Sequence, residues 1–131
     1  MGSFISSLLG GAAAGEVHQP ENSQVKTFHS SERWQLHFND LKASSKLVVI
    51  DFSASWCGPC KFMEPEIHAM SEKFTNVEFI KIDVDELTDV AREFKVEAMP
   101  TFVLVKKGKE IERIVGAKKD ELLKKIENNR T

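Results

Sequence analysis

The sequence predicts one α/β domain, a central mixed five-stranded β-sheet flanked by four α-helices. Three observations carry that expectation. Residues 47–52 form an apolar run interrupted by a single acid, Asp51, the pattern of a central strand covered by helices on both faces. Segments with apolar residues at helical spacing alternate with short branched and aromatic runs. Near the end, Lys107-Gly108 separates two such runs, the signature of an antiparallel hairpin. The resulting order is β-α-β-α-β-α-β-β-α, and 131 residues without an internal repeat suit one core.

The elements follow in order. Residues 25–29 read as a short first strand, and residues 31–43 as a helix with Trp34, Phe38 and Leu41 on one face. His37 shares that face and is read as a packed, hydrogen-bonded residue without chemistry. The central strand leads into a helix that begins at Cys57 and Cys60 and runs to about Phe74, with Ile67, Met70 and Phe74 inward. Pro65 removes a backbone donor inside it, so a kink is expected. A third strand covers residues 77–83. Asp85 is expected to cap a short helix carrying Leu87, Val90, Ala91 and Phe94 inward. Strands at 101–105 and 110–115 make the hairpin. A last helix at 120–129 turns Leu122, Leu123 and Ile126 toward the core.

Residues 1–24 are set apart as an N-terminal extension, leaving residues 25–131 as the domain. The extension holds an apolar start, a small-residue stretch from Gly10 to Gly15 and a polar run with Pro20, and no period lasts long enough for a helix, so it is read as flexible. It contains Glu16 and Glu21 but no Lys or Arg, so it accounts for the whole formal charge of −2. Without basic residues it fits neither a secretory signal nor a transit peptide, and its apolar stretch is too short to span a bilayer. Met1-Gly2 followed by Ser6 matches the acceptor pattern for N-myristoylation of Gly2. One such chain gives marginal, reversible membrane binding. The expectation is a cytoplasmic protein with peripheral membrane association, a mitochondrial address being less favoured.

The chain has two cysteines, both in Trp56-Cys57-Gly58-Pro59-Cys60. A bridge over two intervening residues closes almost no loop, so it stabilises little, and the pair is better explained by thiol reactivity. Zinc would need further ligands from His18, His29, His37 and His68, none of which falls in a second close pair. Haem attachment would need His where Lys61 stands. Two core thiols are a further reading, against which Gly58-Pro59 indicates a turn into a helix. Only two cysteines also exclude a disulfide-rich secreted scaffold. The mixed charge gives no sign of nucleic acid binding: Lys106-Lys107, Lys118-Lys119 and Lys124-Lys125 are interleaved with acids and read as a turn and a solvated helix face.

The stretch from Val49 to Lys61, containing Asp51, Trp56 and the Cys57-Gly58-Pro59-Cys60 motif, closely resembles the active-site strand and helix start of thioredoxins. Ala98-Met99-Pro100-Thr101-Phe102 is similar to their cis-proline loop and Val115-Gly116-Ala117 to their groove turn. The likeness covers about residues 25–129, and the extended N-terminus is most similar to plant h-type members of the myristoylatable subgroup. Some of those carry a cysteine in the extension; this chain has none, which argues against palmitoylation there and against any mechanism needing a third thiol.

The resemblance implies the thioredoxin fold and a protein-disulfide reductase. Cys57, at a helix start where free N–H groups and the dipole favour an anion, is the implied nucleophile, and the more buried Cys60 resolves. The pair would cycle through a Cys57–Cys60 disulfide. Gly58 would permit the tight turn, and Pro59 fits the first helical turn and marks a reductant rather than an oxidase or isomerase. Asp51 should have a raised pKa from burial and exchange a proton with Cys60; a salt bridge with Lys81 on the next strand is the alternative, and both can hold. Trp56, Met99, Pro100 and Gly116 would rim an apolar groove, with a cis bond before Pro100 exposing the Met99 backbone to an extended target. In family members the proline equivalent to Pro100 also keeps metal from the dithiol. No dinucleotide fingerprint is present, so no cofactor is expected on the chain itself. The partners expected are an NADPH-dependent thioredoxin reductase and disulfide-bearing target proteins, with the protein itself a monomer. A thioredoxin-like binding module without redox turnover is the alternative of another class.

Overall fold

The computed structural model describes residues 19–130. Nine elements occur in the expected order: β1 (Lys26–Thr27), α1 (Ser31–Leu41), β2 (Leu47–Ser53), α2 (Gly58–Lys73), β3 (Val77–Asp83), α3 (Thr88–Glu93), β4 (Thr101–Lys106), β5 (Lys109–Val115) and α4 (Lys119–Asn129). The strands form one sheet in the order β1-β3-β2-β4-β5. β2 lies at its centre, parallel to β3 and antiparallel to β4, as its apolar run requires. The first strand is shorter than expected, two residues paired with Ile80 and Lys81 at the edge of β3.

Side chains alternate along β2, and the alternation sorts the core into two layers. Leu47 and Val49 pack with Met63, Ile67, Met70 and Phe74 of α2 and Leu122 and Ile126 of α4. Val48, Ile50 and Phe52 pack with Trp34 and Leu41 of α1 and Leu87, Val90 and Ala91 of the α3 region. The same alternation sends Asp51 to the α2 side. Lys81, the register partner of Asp51, follows Phe79 and goes there too. A carboxyl and an amine are thereby delivered beneath α2 by strand periodicity alone.

The β4–β5 hairpin turns through Lys107 (φ 53°) and Gly108 (φ 79°), two left-handed residues in succession, the turn whose twist suits adjacent strands. His37 does meet a partner, Glu78, as a packed and hydrogen-bonded histidine should.

Two expectations are corrected. Asp85 does not cap α3: Leu87 holds the N-cap position and no side chain caps it. Instead Asp83 takes the N–H groups of Asp85 (2.8 Å) and Glu86 (3.2 Å), so its own carboxylate shapes the turn and Asp85 is left for another partner. The boundary at residue 24 also leaves out an anchored stretch. The Gln24 N–H donates to Ser71 Oγ at 3.0 Å, and Ser23 Oγ meets His68 Nδ1 at 2.6 Å, so residues just before β1 are tied to α2. Gly2 lies outside the described residues.

Candidate active site

The site forms where β2 ends and α2 starts. Ser53 closes the strand, Ala54 accepts the Cys57 N–H (3.2 Å), and that tight turn delivers Cys57 as the N-cap of α2. Its backbone is extended (φ −91°, ψ 115°), and its sulfur receives the Cys60 N–H at 3.1 Å, filling the place a Ser or Asp side chain takes in an ordinary cap. Pro59 sits in the first turn, where its missing donor costs nothing. Gly58 is different from expectation. It does not adopt a left-handed φ, and a Cβ there would meet nothing within 4 Å, so the turn itself does not require glycine. What Gly58 leaves is open, exposed space beside Cys57.

Cys57 and Cys60 are joined as a disulfide, with Cα atoms 5.2 Å apart. Both residues are buried, at 4% and 8% exposure, so the expected contrast of an exposed Cys57 above a buried Cys60 is absent from this oxidised form. The reason is local packing. Cys57 is covered by Ala54, Val84 and Met99, its sulfur 3.6 Å from the Met99 carbonyl oxygen. Cys60 faces a cavity of about 330 Å³ that it shares with Asp51, Glu64 and Lys81.

That cavity sets the electrostatics. Asp51 is buried, and its Oδ1 has no hydrogen-bond partner among the described residues. Burial pushes its carboxyl up from 3.8 to about 7, the Lys81 charge opposing the rise and Glu64 adding to it. The alternative reading, an Asp51–Lys81 salt bridge, is not formed among the described residues. Lys81 Nζ lies 3.1 Å from Glu64 Oε2 instead. Glu64 is only half-buried, so pairing it with the lysine costs less desolvation than pairing buried Asp51 would.

The other predicted positions converge on Cys57. The Met99–Pro100 bond is cis. The Gly116 N–H donates to the Pro100 carbonyl (2.8 Å), drawing the turn after β5, where Gly116 has φ 104°, against the proline loop. Thr101 Oγ1 fixes the loop from below by donating to the Ala98 carbonyl (2.6 Å). Trp56 is 66% exposed, and its indole N–H donates to Asp85 Oδ2 at 2.7 Å. The acid read as a helix cap thus orients the rim tryptophan. Phe62, 62% exposed on α2, was not singled out in the sequence.

A protein-family model described as Thioredoxin matches residues 26–128. The chain belongs to the thioredoxin family. Thioredoxin H2 of Arabidopsis thaliana is 63% identical over 130 residues, covering 96% of each chain. Thioredoxin H2-1 of rice is 53% identical across all of this chain and 94% of its own. Among solved structures, the thioredoxin NaTrxh of Nicotiana alata shares 65% identity with a TM-score of 0.85, covering 88% of this chain and 100% of that one. These relatives are plant h-type thioredoxins, as the sequence resemblance suggested. With its Cys57/Cys60 pair, this thioredoxin is a thiol-disulfide oxidoreductase that reduces protein disulfides. Thioredoxins act with a thioredoxin reductase and on disulfide-bearing targets, and nothing favours an isomerase, an oxidase or a redox-silent binding module.

Sequence reasoning missed Glu64 and His68. A signal for Glu64 existed: it stands four residues after Cys60, so one helical turn places both over the strand pair that carries Asp51 and Lys81.

Proposed function

We propose that Cys57 is the nucleophile, Cys60 the resolving thiol and Asp51 the group that takes the Cys60 proton. The observation that carries this division is the position of Cys57 as N-cap of α2. A thiolate there is stabilised by the Cys60 N–H and by the helix's positive end, whereas the Cys60 sulfur receives no backbone N–H among the described residues.

In the reduced protein the Cys57 thiolate attacks one sulfur of a target disulfide. A Cys57–target bond forms, and the other target sulfur leaves as a thiolate. Cys60 then gives its proton to Asp51, through a water for which the cavity has room, and attacks Cys57. The Cys57–Cys60 bond forms, the mixed disulfide breaks, and the second target thiolate departs. The target has gained two electrons and the protein has lost them. An NADPH-dependent reductase returns them, since this chain itself is read as carrying no cofactor. The open ground at Gly58, with Trp56, Met99, Pro100 and Gly116 around it, is the shallow surface offered to an extended target segment.

Iodoacetamide alkylation of the reduced protein over pH 5–10 tests the assignment. One thiol, mapped to Cys57, should react with a midpoint below the roughly 8.5 of free cysteine. Equal reactivity of both thiols, or preference for Cys60, would sink it.

Acylation at Gly2 is proposed from the sequence pattern, giving reversible exchange between the cytosol and membrane surfaces. Gly2→Ala should move the membrane-bound fraction of a cell lysate to the soluble fraction. An unchanged distribution, or no incorporation of an alkyne myristate, refutes it.

A further inference from the structure

We propose that Glu64 is a positioning residue for disulfide resolution: by holding the Lys81 ammonium, it keeps that cation from pairing with Asp51 and so leaves Asp51 free to take up and return the Cys60 proton. The inference rests on the reading of Asp51 as the proton acceptor and adds to it a residue that governs when Asp51 is competent.

Three observations support it. First, Asp51 and Lys81 are register partners on adjacent parallel strands, both directed to the α2 side, yet among the described residues Asp51 has no ion-pair partner. Lys81 has been drawn to Glu64 (3.1 Å). Second, the charged and titratable groups that face this cavity are few. They are Cys60, Lys61 and Glu64 from α2, Lys81 and Asp83 from β3, and Asp51 from β2. Lys81 is the cation directly opposite Asp51, so its placement decides whether a negative Asp51 is compensated.

Third, Glu64 is held from its other side. His68, one turn further along α2, has Nε2 3.8 Å from the same Glu64 oxygen. Ser23 Oγ accepts the Val25 N–H (3.2 Å) and lies 2.6 Å from His68 Nδ1, which fixes the ring with Nε2 toward Glu64. Burial lowers the His68 pKa. Glu64 thus sits between an imidazole and an ammonium. The ordinary reading is a half-exposed ion pair worth little to stability. The two readings differ in one respect: a pair of that kind acts on Asp51 only through the direct Glu64 charge, so the effect of neutralising Glu64 would be the same with or without Lys81.

The test uses the full chain with Glu64→Gln and, as a second variant, Glu64→Ala. Once its partner is uncharged, Lys81 is free to compensate Asp51, and loss of the Glu64 charge acts in the same direction. Both favour the carboxylate. The carboxyl titration of Asp51, followed by carbon-13 NMR, should shift down by about one pH unit in either variant. The midpoint of the pH profile for mixed-disulfide resolution should shift with it. In a Lys81→Met background the same Glu64→Gln change should shift Asp51 by much less, because the cation it would release is gone. An unchanged Asp51 titration in both Glu64 variants, or an equal Glu64→Gln shift with and without Lys81, overturns the inference. A resolution profile that Asp51→Asn leaves unaltered instead overturns the proton-acceptor reading, and the NMR titration tells the two failures apart.

Discussion

Asp51→Asn is expected to make the oxidised protein more stable at pH 8 while making the enzyme slower. The carboxyl titrates near 3.8 when unfolded and about 7 when folded, because the cavity under α2 disfavours its charge. Between those values the native state binds the proton more tightly than the unfolded chain. Stability from this group is therefore fully present below pH 3.8 and is lost as pH rises through 7. A shift of about three units corresponds to roughly 4 kcal/mol above pH 7, which the neutral amide escapes. Urea unfolding should give Asp51→Asn an advantage approaching that size at pH 8 and little at pH 4. Equal differences at both pH values would show that the burial argument is wrong. Resolution of a mixed disulfide with a model target should slow by about ten- to a hundredfold at pH 7, the loss of a positioned proton acceptor. Formation of the mixed disulfide should change little.

The second large effect separates the two thiols. Cys57→Ser should abolish insulin disulfide reduction, since no helix-terminal thiolate remains to begin the exchange. Cys60→Ser should also stop turnover but at a later stage, retaining the target as a covalent adduct in a 1:1 ratio through Cys57, releasable by dithiothreitol. Non-reducing electrophoresis distinguishes the outcomes. Adducts accumulating on Cys57→Ser, and not on Cys60→Ser, would reverse the assignment. The oxidised form buries both residues, so it is the capping geometry that distinguishes them here.

The sheet and its helices were legible because burial on both faces of β2 and helical spacing in α1 and α4 leave local marks. The dithiol, Asp51 and the proline loop were legible through their motifs. What escaped depends on contacts that no local pattern records. Asp85 looks like a cap because it precedes an apolar helical pattern, but Asp83 makes the turn and Asp85 turns to Trp56. Lys81 was correctly placed opposite Asp51, yet its partner is chosen by relative desolvation, and the half-buried Glu64 wins. The clasp of Ser23 on His68 joins residues 45 positions apart, and the polar composition around Ser23 suggests only a loop.

That clasp also fixes where the N-terminal segment meets the domain. Ser23 and Gln24 are fastened at His68 and Ser71, 11 to 14 residues along α2 from Cys57, roughly 16–21 Å by helical rise. A tether reaching the domain there pulls on the rear of the helix whose front bears the dithiol. The point of entry and the reactive thiols therefore lie at opposite ends of one helix.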